Sequence, residues 1–566
     1  MAVCSLQKST TILLLCLLAG CLLAGCPSQP TNQTVSPQLS STAITVTAHA
    51  FSASANCQGT FLTHTLPIAT GTRLREIDTY ESNGAGVAVN DLDNDGDLDL
   101  VFASIDRESA ILWNEGELHF TTQTLDDRFT RAVATVDVDG DGLLDIVFTH
   151  RGQQTLSLWH NQGLQDRAAR FVRQALPGVE SYGYAMASAD LTGDGALDLV
   201  TGSYNIDLKQ QGIAEPAADP HAGIMLYARN GESYAEVPLA PNAEALAVAL
   251  LDLNGDGRRD IWVANDFALP DRVWLQSSDG WQPSLPFDQT SFSTMSIDWG
   301  DIANDGSFAL FTTDMNPYDT SVHNLARWLP VIQTLEGRND RYSGDTQQMI
   351  NMLQLPNNAE AWRNESTARG VDATGWSWAG KFGDLDNDGY LDLYVVNGMI
   401  AENLFSHLTN GELVEENQAL RNDGRGYFIH APEWQLGSTS SGRGMTMADL
   451  DNDGDLDIIV NNLRNSAQLF ENQLCGGEGL QVELHWSQSG NFYGVGGQIV
   501  LATDQGNLRR DVRVTSGYLS GDPVRVHFGF PAGTQLRSLH ILWPDGAVSS
   551  LDSVTKGQLL IVTRAD

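Results

Sequence analysis

The chain has 566 residues and a formal net charge of −39, from 71 acidic and 32 basic residues. So large a negative excess argues against nucleic acid or an anionic lipid surface as a partner. The length accommodates a domain of about 400 residues and one further small module.

The N-terminus reads as an export signal. Lys8 gives a modest positive region, residues 10–18 are largely apolar, and two successive L-A-G-C strings end at Cys21 and Cys26. L-A-G-C resembles the bacterial lipoprotein signal, in which the cysteine is acylated and becomes the new N-terminus. Cys26 is the preferred acceptor: polar residues follow it, whereas apolar ones follow Cys21. The expected layout is a signal peptide over 1–25, then the lipidated cysteine and a flexible tether over 26–56. Such a protein is exported and anchored at the cell surface or the periplasmic face of the outer membrane. Lipid would be its sole membrane attachment, since no stretch reaches the roughly 18 apolar residues of a span.

A short acidic loop, D-x-[DNT]-x-D-G-x-x-D, then recurs. Its copies start at Asp91, Asp137, Asp190, Asp252, Asp301, Asp384 and Asp449, spaced by 46 to 83 residues. The first reads Asp91-Leu-Asp93-Asn-Asp95-Gly96-Asp-Leu-Asp99. Carboxylates at positions 1, 3, 5 and 9 converge only if the chain turns sharply, which Gly96 permits. Several hard oxygens in a flexible loop suit Ca²⁺ better than Mg²⁺. With no Cys or His in the loops, zinc and copper are poor candidates.

Complete sets occur at Asp137, Asp139, Asp141 and Asp145, at Asp384, Asp386, Asp388 and Asp392, and at Asp449, Asp451, Asp453 and Asp457. The third copy carries Thr192 among Asp190, Asp194 and Asp198; the fourth carries Asn254 among Asp252, Asp256 and Asp260. In the fifth, Ala303 and Ala309 replace two ligands beside Asp301 and Asp305. About six calcium sites are expected, by this ligand arithmetic, with the fifth loop empty. The flanks are strand residues, such as Val87 and Val89 before the loop and Leu100, Val101 and Phe102 after it, so the unit is not an EF-hand.

This period, with several short strands per unit, predicts a β-propeller of seven blades. Units end in a recurring tail: Phe120-Thr-Thr-Gln-Thr-Leu125, Phe171-Val-Arg-Gln-Ala-Leu176, Tyr234-Ala-Glu-Val-Pro-Leu239. The same tail precedes the first loop at Phe61-Leu-Thr-His-Thr-Leu66, and the last unit lacks one. Residues 61–66 should therefore supply the outer strand of the seventh blade. Cys57 and Cys475 flank that pairing and are expected to form a disulfide, consistent with export. The propeller then spans 57–475.

After Cys475 the loops stop. Apolar and polar residues alternate through 476–566, which predicts a small all-β, sandwich-like module. Gly494-Val-Gly-Gly497, Gly517-Tyr-Leu-Ser520, His527-Phe-Gly529 and Trp543-Pro-Asp-Gly546 resemble the ASPIC/UnbV domain, and the acidic loops resemble FG-GAP or VCBS repeats. Together they resemble the cartilage acidic protein family, widespread in bacteria. The resemblance implies calcium binding and a seven-bladed propeller, and no established reaction.

Inserts at 204–222, 316–360 and 399–420 lengthen three units and are candidates for a cap over one face. Helix is expected over 322–335 and 346–353 and in part of 399–420. Trp376 and Trp378, two apart in a strand, are candidate ligand-face aromatics that would face one side. No HExxH, G-x-S-x-G or P-loop occurs. The leading expectation is a non-enzymatic, calcium-rigidified binding or adhesion protein with an unknown protein or glycan ligand. The alternatives are a carbohydrate-binding propeller and, third, a polysaccharide lyase or hydrolase.

Overall fold

The apolar runs on either side of each acidic loop pair as antiparallel strands. The structure is a computed structural model that describes residues 42–52, 57–72, 77, 81–165, 168–267, 269–337, 345–358 and 361–565. The signal sequence, Cys26 and residues 27–41 of the expected tether lie outside the described residues. Among those described, no helix is long and apolar enough to cross a membrane.

The first blade, 87–125, shows the plan. Val87–Asn90, Asp99–Phe102, Ser109–Asn114 and Phe120–Leu125 follow one another across a four-stranded sheet, with the acidic loop between the first two. Blades at 130–175, 185–240, 245–284, 297–364, 375–430 and 442–473 repeat it. The first strands lie side by side in a closed ring, with Val87–Asn90 beside Gly442–Ala448. In the last blade the fourth strand is Thr60–Thr65, antiparallel to Gln468–Gln473 with Phe61 opposite Asn472. Cys57 and Cys475 are bonded across a separation of 418 residues. In the chain-entropy picture, so long a loop gives a crosslink worth on the order of 5 kcal/mol.

Two four-stranded sheets form the C-terminal sandwich. Its core holds Leu480, Val482, Leu484, Ile499, Phe528, Ile541, Trp543 and Val562. One sheet has the order Ile44–Ala50, Gln558–Arg564, Gly477–His485, Val526–Pro531. This corrects the tether expected over 26–56. The alternating run Ile44-Thr-Val46-Thr is a strand that covers the edge of the last strand of the chain, which would otherwise be open to pairing.

The sandwich and the propeller share one compact unit, Ser40–Asp566. The sandwich sends a hairpin, Thr515–Ser516 and Ser520–Gly521, down the centre of the ring. Gly517 exchanges both backbone hydrogen bonds with Ile297 of the fifth blade. Val133 of the second donates to the Leu519 carbonyl at 3.1 Å. Val87 of the first donates to Ser520 Oγ, and Thr446 of the seventh donates to the Gly521 carbonyl. The hairpin also touches the first strands of the third and fourth blades. Lys381 of the sixth reaches Ser516 and Asp522. Tyr518 at the tip is fully buried, donates to the Asn83 carbonyl at 2.8 Å and packs on Trp378. A Cβ on Gly86 would overlap the Leu519 carbonyl, so only glycine fits there.

Two expectations change here. Residues 346–353 are not helical. Met352–Asn358 is the third strand of the fifth blade, paired with Ala309–Thr312 and Ala361–Asn364. The sheet needs that strand, and its pairing overrides local propensity. Trp376 and Trp378 are not exposed and do not share a side. Both are buried, and the register shifts between Ser377 and Ala379, which breaks strict alternation. Trp378 packs on Tyr518 with the Arg443 guanidinium 4.2 Å from its ring centre, whereas Trp376 packs on Trp328 and Phe405.

Asp522 anchors the hairpin through Lys381 and Arg513. Burial pushes its carboxyl up, but Lys381 and Arg513 outweigh that and hold it below the ordinary range. Asp522→Asn removes a partner from buried Lys381 and should destabilise by about 3–5 kcal/mol at neutral pH. A depressed folded pKa gives stability that is present above the unfolded value and lost as pH falls through the folded one. The gap between wild type and variant, measured by denaturant unfolding, should therefore narrow below about pH 4.

Candidate metal centres

Each loop is shaped by its own first aspartate. Asp91 accepts the Asp95 N–H at 3.1 Å on one oxygen and the Gly96 N–H at 3.0 Å on the other. Asp449 repeats this with Asp453 and Gly454. Position 5 accepts the N–H two residues on, as Asp95 does from Asp97. Two residues per loop adopt positive φ. Gly96 has φ 103° and Gly454 97° at position 6; position 4 is Asn94, Asn304, Asn387 and Asn452 or Gly140, Gly193 and Gly255. Asn and Gly are the residues that tolerate this conformation, so position 4 was a readable signal that the sequence analysis passed over.

These turns gather carboxylates. One oxygen from each of Asp91, Asp93 and Asp99 lies within 4.8 Å of the others, and so do those of Asp137, Asp139 and Asp145, of Asp384, Asp386 and Asp392, and of Asp449, Asp451 and Asp453. Each group could hold a metal ion. Asp93 Oδ1 and Asp386 Oδ1 are buried without a hydrogen-bond partner, as an oxygen reserved for a cation would be. The donor set is all hard oxygen, which fits calcium.

Burial and then neighbouring charge set the electrostatics. Burial raises the Asp99 carboxyl to about 8 and that of Asp137 to about 7, against backbone donors that pull the other way. Burial and the neighbouring Asp453 raise Asp451 to about 7. Asp384 and Asp449 are pushed well above the ordinary range, by burial first and then by Asp388 and Asp453 respectively. Carboxylates in this state gain most from a bound cation.

The remaining loops differ. Among the described residues, three carboxylates do not gather in the third loop (Asp190, Thr192, Asp194, Asp198) or the fourth (Asp252, Asn254, Asp256, Asp260). In the fourth, Arg258 pairs with Asp256 at 2.6 Å, so a side-chain cation already meets that carboxylate. In the fifth, Arg509 of the sandwich donates to the Gly306 carbonyl at 2.6 Å.

Position 9 has a second task. Asp99 accepts the Leu92 N–H on one oxygen and the Asn114 N–H of the third strand on the other. Asp145, Asp198, Asp260, Asp392 and Asp457 each do the same. It is a brace as well as a candidate ligand. The third-strand amides extend the brace between blades: Asn114 donates to the Leu450 carbonyl, Asn161 to Leu92, Asn422 to Ile302 and Asn472 to Leu385. These four Asn residues escaped the sequence analysis, although a third-strand Asn following the core residues recurs in four units.

The two tasks separate by mutation. Asp392→Ala leaves two buried N–H groups without an acceptor and should cost roughly 2 kcal/mol or more even in chelator. Asp386→Asn should leave metal-free stability nearly unchanged and remove only the sixth loop's share of the stability gained with calcium. Paired unfolding curves with and without calcium measure both.

Known proteins bear on this arrangement. Residues 91–148, 137–201 and 408–460 match the FG-GAP-like repeat, and residues 487–566 match ASPIC and UnbV. No curated protein matches the chain. Solved structures similar to it include BBS1N in complex with ARL6DN, soaked with mercury (TM-score 0.38, 11% identity, covering 73% of this chain and 97% of that one). Another is the SapL1 lectin in complex with alpha methyl fucoside (TM-score 0.31, 11% identity, 62% and 96%). At these scores neither carries an argument about ligand or activity. The matched segments cover the acidic loops of the first three blades and the last, together with most of the module that plugs the ring: the chain carries stretches similar to FG-GAP-like repeats and, at its C-terminal end, a stretch similar to ASPIC and UnbV.

Proposed function

We propose that the protein is an exported, lipid-anchored binding or adhesion protein whose blades are rigidified by calcium. The observation that carries this reading is the fourfold recurrence of a three-carboxylate cluster at the same point of a blade. Calcium there would tie the first and second strands together and relieve repulsion among buried carboxylates. The metal acts on the fold, and ligand recognition lies elsewhere.

The free surface is the face away from the loops. The sandwich covers the loop face: Tyr493 donates to the Gly142 carbonyl, Ser489 to Gly195 and Arg525 to Gly96. The hairpin fills the channel. The inserts at 204–222 and 399–420, and the part of 316–360 that precedes Met352, lie between second and third strands, so they emerge at the opposite end of the blades. The inserts of the fifth and sixth blades interlock there. Trp328 of the helix Val322–Gly337 donates to Glu415, and Arg327 to the Val414 carbonyl. A protein or glycan partner would be met on this cap. The carbohydrate reading no longer has Trp376 and Trp378 to support it.

Extracellular calcium modules bind at about 10⁻⁴–10⁻³ M. At millimolar calcium each filled site then adds roughly 0.6–1.8 kcal/mol. The test is thermal unfolding of the mature protein in 2 mM calcium and in chelator, with bound calcium counted on the same sample. At least four ions, and a melting temperature that falls in chelator, are expected. One ion or none, with unchanged melting, would sink the calcium reading.

A further inference from the structure

A cavity of about 120 Å³ separates the sandwich from the fifth, sixth and seventh blades. It is large enough for several waters or one small oxyanion. It is distinct from the insert cap, since it lies under the sandwich on the loop face.

The walls are strongly charged. Five cationic side chains line the cavity: Lys381, Arg509, Arg510, Arg513 and Arg525. Four carboxylates line it with them: Asp384, Asp449, Asp511 and Asp522. Asp384 and Asp449 are first-position residues of the sixth and seventh loops, so on the calcium reading their charge is spent on the metal. With Asp298 and Glu483, which pair with Arg513 and Arg525 at its wall, five positive charges then face four negative ones.

Most of these cations are committed. Arg513 pairs with Asp298 at 2.7 Å and Asp522 at 3.1 Å. Arg525 pairs with Asp91 at 2.9 Å and Glu483 at 3.0 Å, and Lys381 pairs with Asp522. Arg509 donates to Gly306 and Gln498 with its two terminal nitrogens, and only its inner Nε is buried without a partner. Arg510 differs. Its Nη1 donates to the Arg509 carbonyl at 3.0 Å, and its guanidinium carbon stands 5.6 Å from the Phe528 ring centre. Its Nη2 is buried with no hydrogen-bond partner, and no carboxylate lies within ion-pair distance of it among the described residues. Burial pushes the guanidinium down from its ordinary value, and the more distant Asp384 and Asp301 offset this only in part. A half-buried arginine, held at one nitrogen and with a buried donor open at the other, is an arrangement that recognises an oxyanion.

We infer that this cavity is a binding site for a small oxyanion, a carboxylate or a tetrahedral anion, with Arg510 as its anchor. The site would let a bound anion strengthen the joint between sandwich and propeller. The inference rests on the calcium reading for the sign of the cavity's net charge. Gln481 Oε1, buried and without a partner on the cavity wall, would accept from a protonated oxyanion or an accompanying water. Asp511, half-buried and bonded to Trp299 Nε1 at 3.1 Å, would confine the anion to the Arg510 side.

The test titrates calcium-saturated mature protein with sodium sulfate and, separately, sodium acetate, holding ionic strength constant with chloride. Heat of binding and melting temperature are both read. One saturable site is expected, with a melting temperature that rises with anion concentration. Arg510→Gln should weaken binding at least tenfold while calcium stoichiometry stays at the wild-type count, and the exposed Arg425→Gln should bind as wild type does. Acetate binding without sulfate binding supports the site and narrows it to carboxylates; the reverse narrows it to tetrahedral anions. No saturable uptake of either anion would mean a water-filled cavity and would overturn the inference, as would equal binding by Arg510→Gln. Should that variant fail to fold, Arg510→Lys keeps the charge without the guanidinium fork; wild-type affinity in it would also overturn the assignment. If the calcium count is zero and sulfate still binds through Arg510, the calcium reading falls and the anion site stands.

Discussion

The structure depends on a hairpin buried in a ring of strands. A propeller of seven sheets leaves an axial channel lined by the first strand of each blade, with backbone groups that need partners. Here the partners come from the other module. Gly517, Leu519, Ser520 and Gly521 bond to four blades, Lys381 of a fifth reaches Ser516 and Asp522, and Tyr518 closes the far end against Asn83 and Trp378. The sandwich is less an appendage than the axle of the ring. Its charges follow from that role. Lys381, Asp298, Arg513 and Asp522 are taken out of water together, and a buried charge is tolerated only when paired.

The same constraint divides the faces. With the sandwich on the loop face and the hairpin in the channel, the metal loops are covered by Gly490, Phe492, Gly529 and their neighbours. A metal there bears on rigidity and on how the sandwich docks. Recognition is left to the cap built from the inserts, where chain length is least restricted by the blade plan.

Where the information was local, the sequence could be read. The acidic loops announce themselves because ligand, turn and strand residues fall at fixed offsets. Residues 61–66 could be placed in the last blade because their pattern repeats that of three other tails. Cys57 and Cys475 followed from that placement. Where the information was tertiary, reading failed. Gly517-Tyr-Leu-Ser520 was recognisable as a motif, but nothing local says that it ends in a channel. Trp376 and Trp378 obey strand spacing on paper, and a bulge at Trp378 sends them to different neighbours. The run at 346–353 has apolar residues that suit either period, and only the need for a third strand decides between them. Position 9 was read as a ligand because its carboxyl fits that role. Its brace to the third strand shows only once the sheet is assembled.

The placement of the chain ends has a consequence for assembly. Ile44–Ala50 pairs with Gln558–Arg564, and Thr60–Thr65 pairs with Gln468–Gln473, so both modules are closed by N-terminal residues on C-terminal partners. The axle comes from residues 515–521, after every blade has been made. Closing such distant contacts costs loop entropy before any contact repays it. Until the hairpin arrives, the inner strands face an unfilled channel. Local devices that hold single blades together must therefore act early. The position-9 aspartates and a metal in each good loop are such devices, because they join strands that are neighbours in sequence. The fifth blade has the least of this, with Ala303 and Ala309 in place of ligand and brace. It compensates through distant contacts: Arg509 on Gly306, Arg513 on Asp298 and Trp299, and Gly517 on Ile297. The blade with the least local support is tied to the sandwich at its loop and along its first strand.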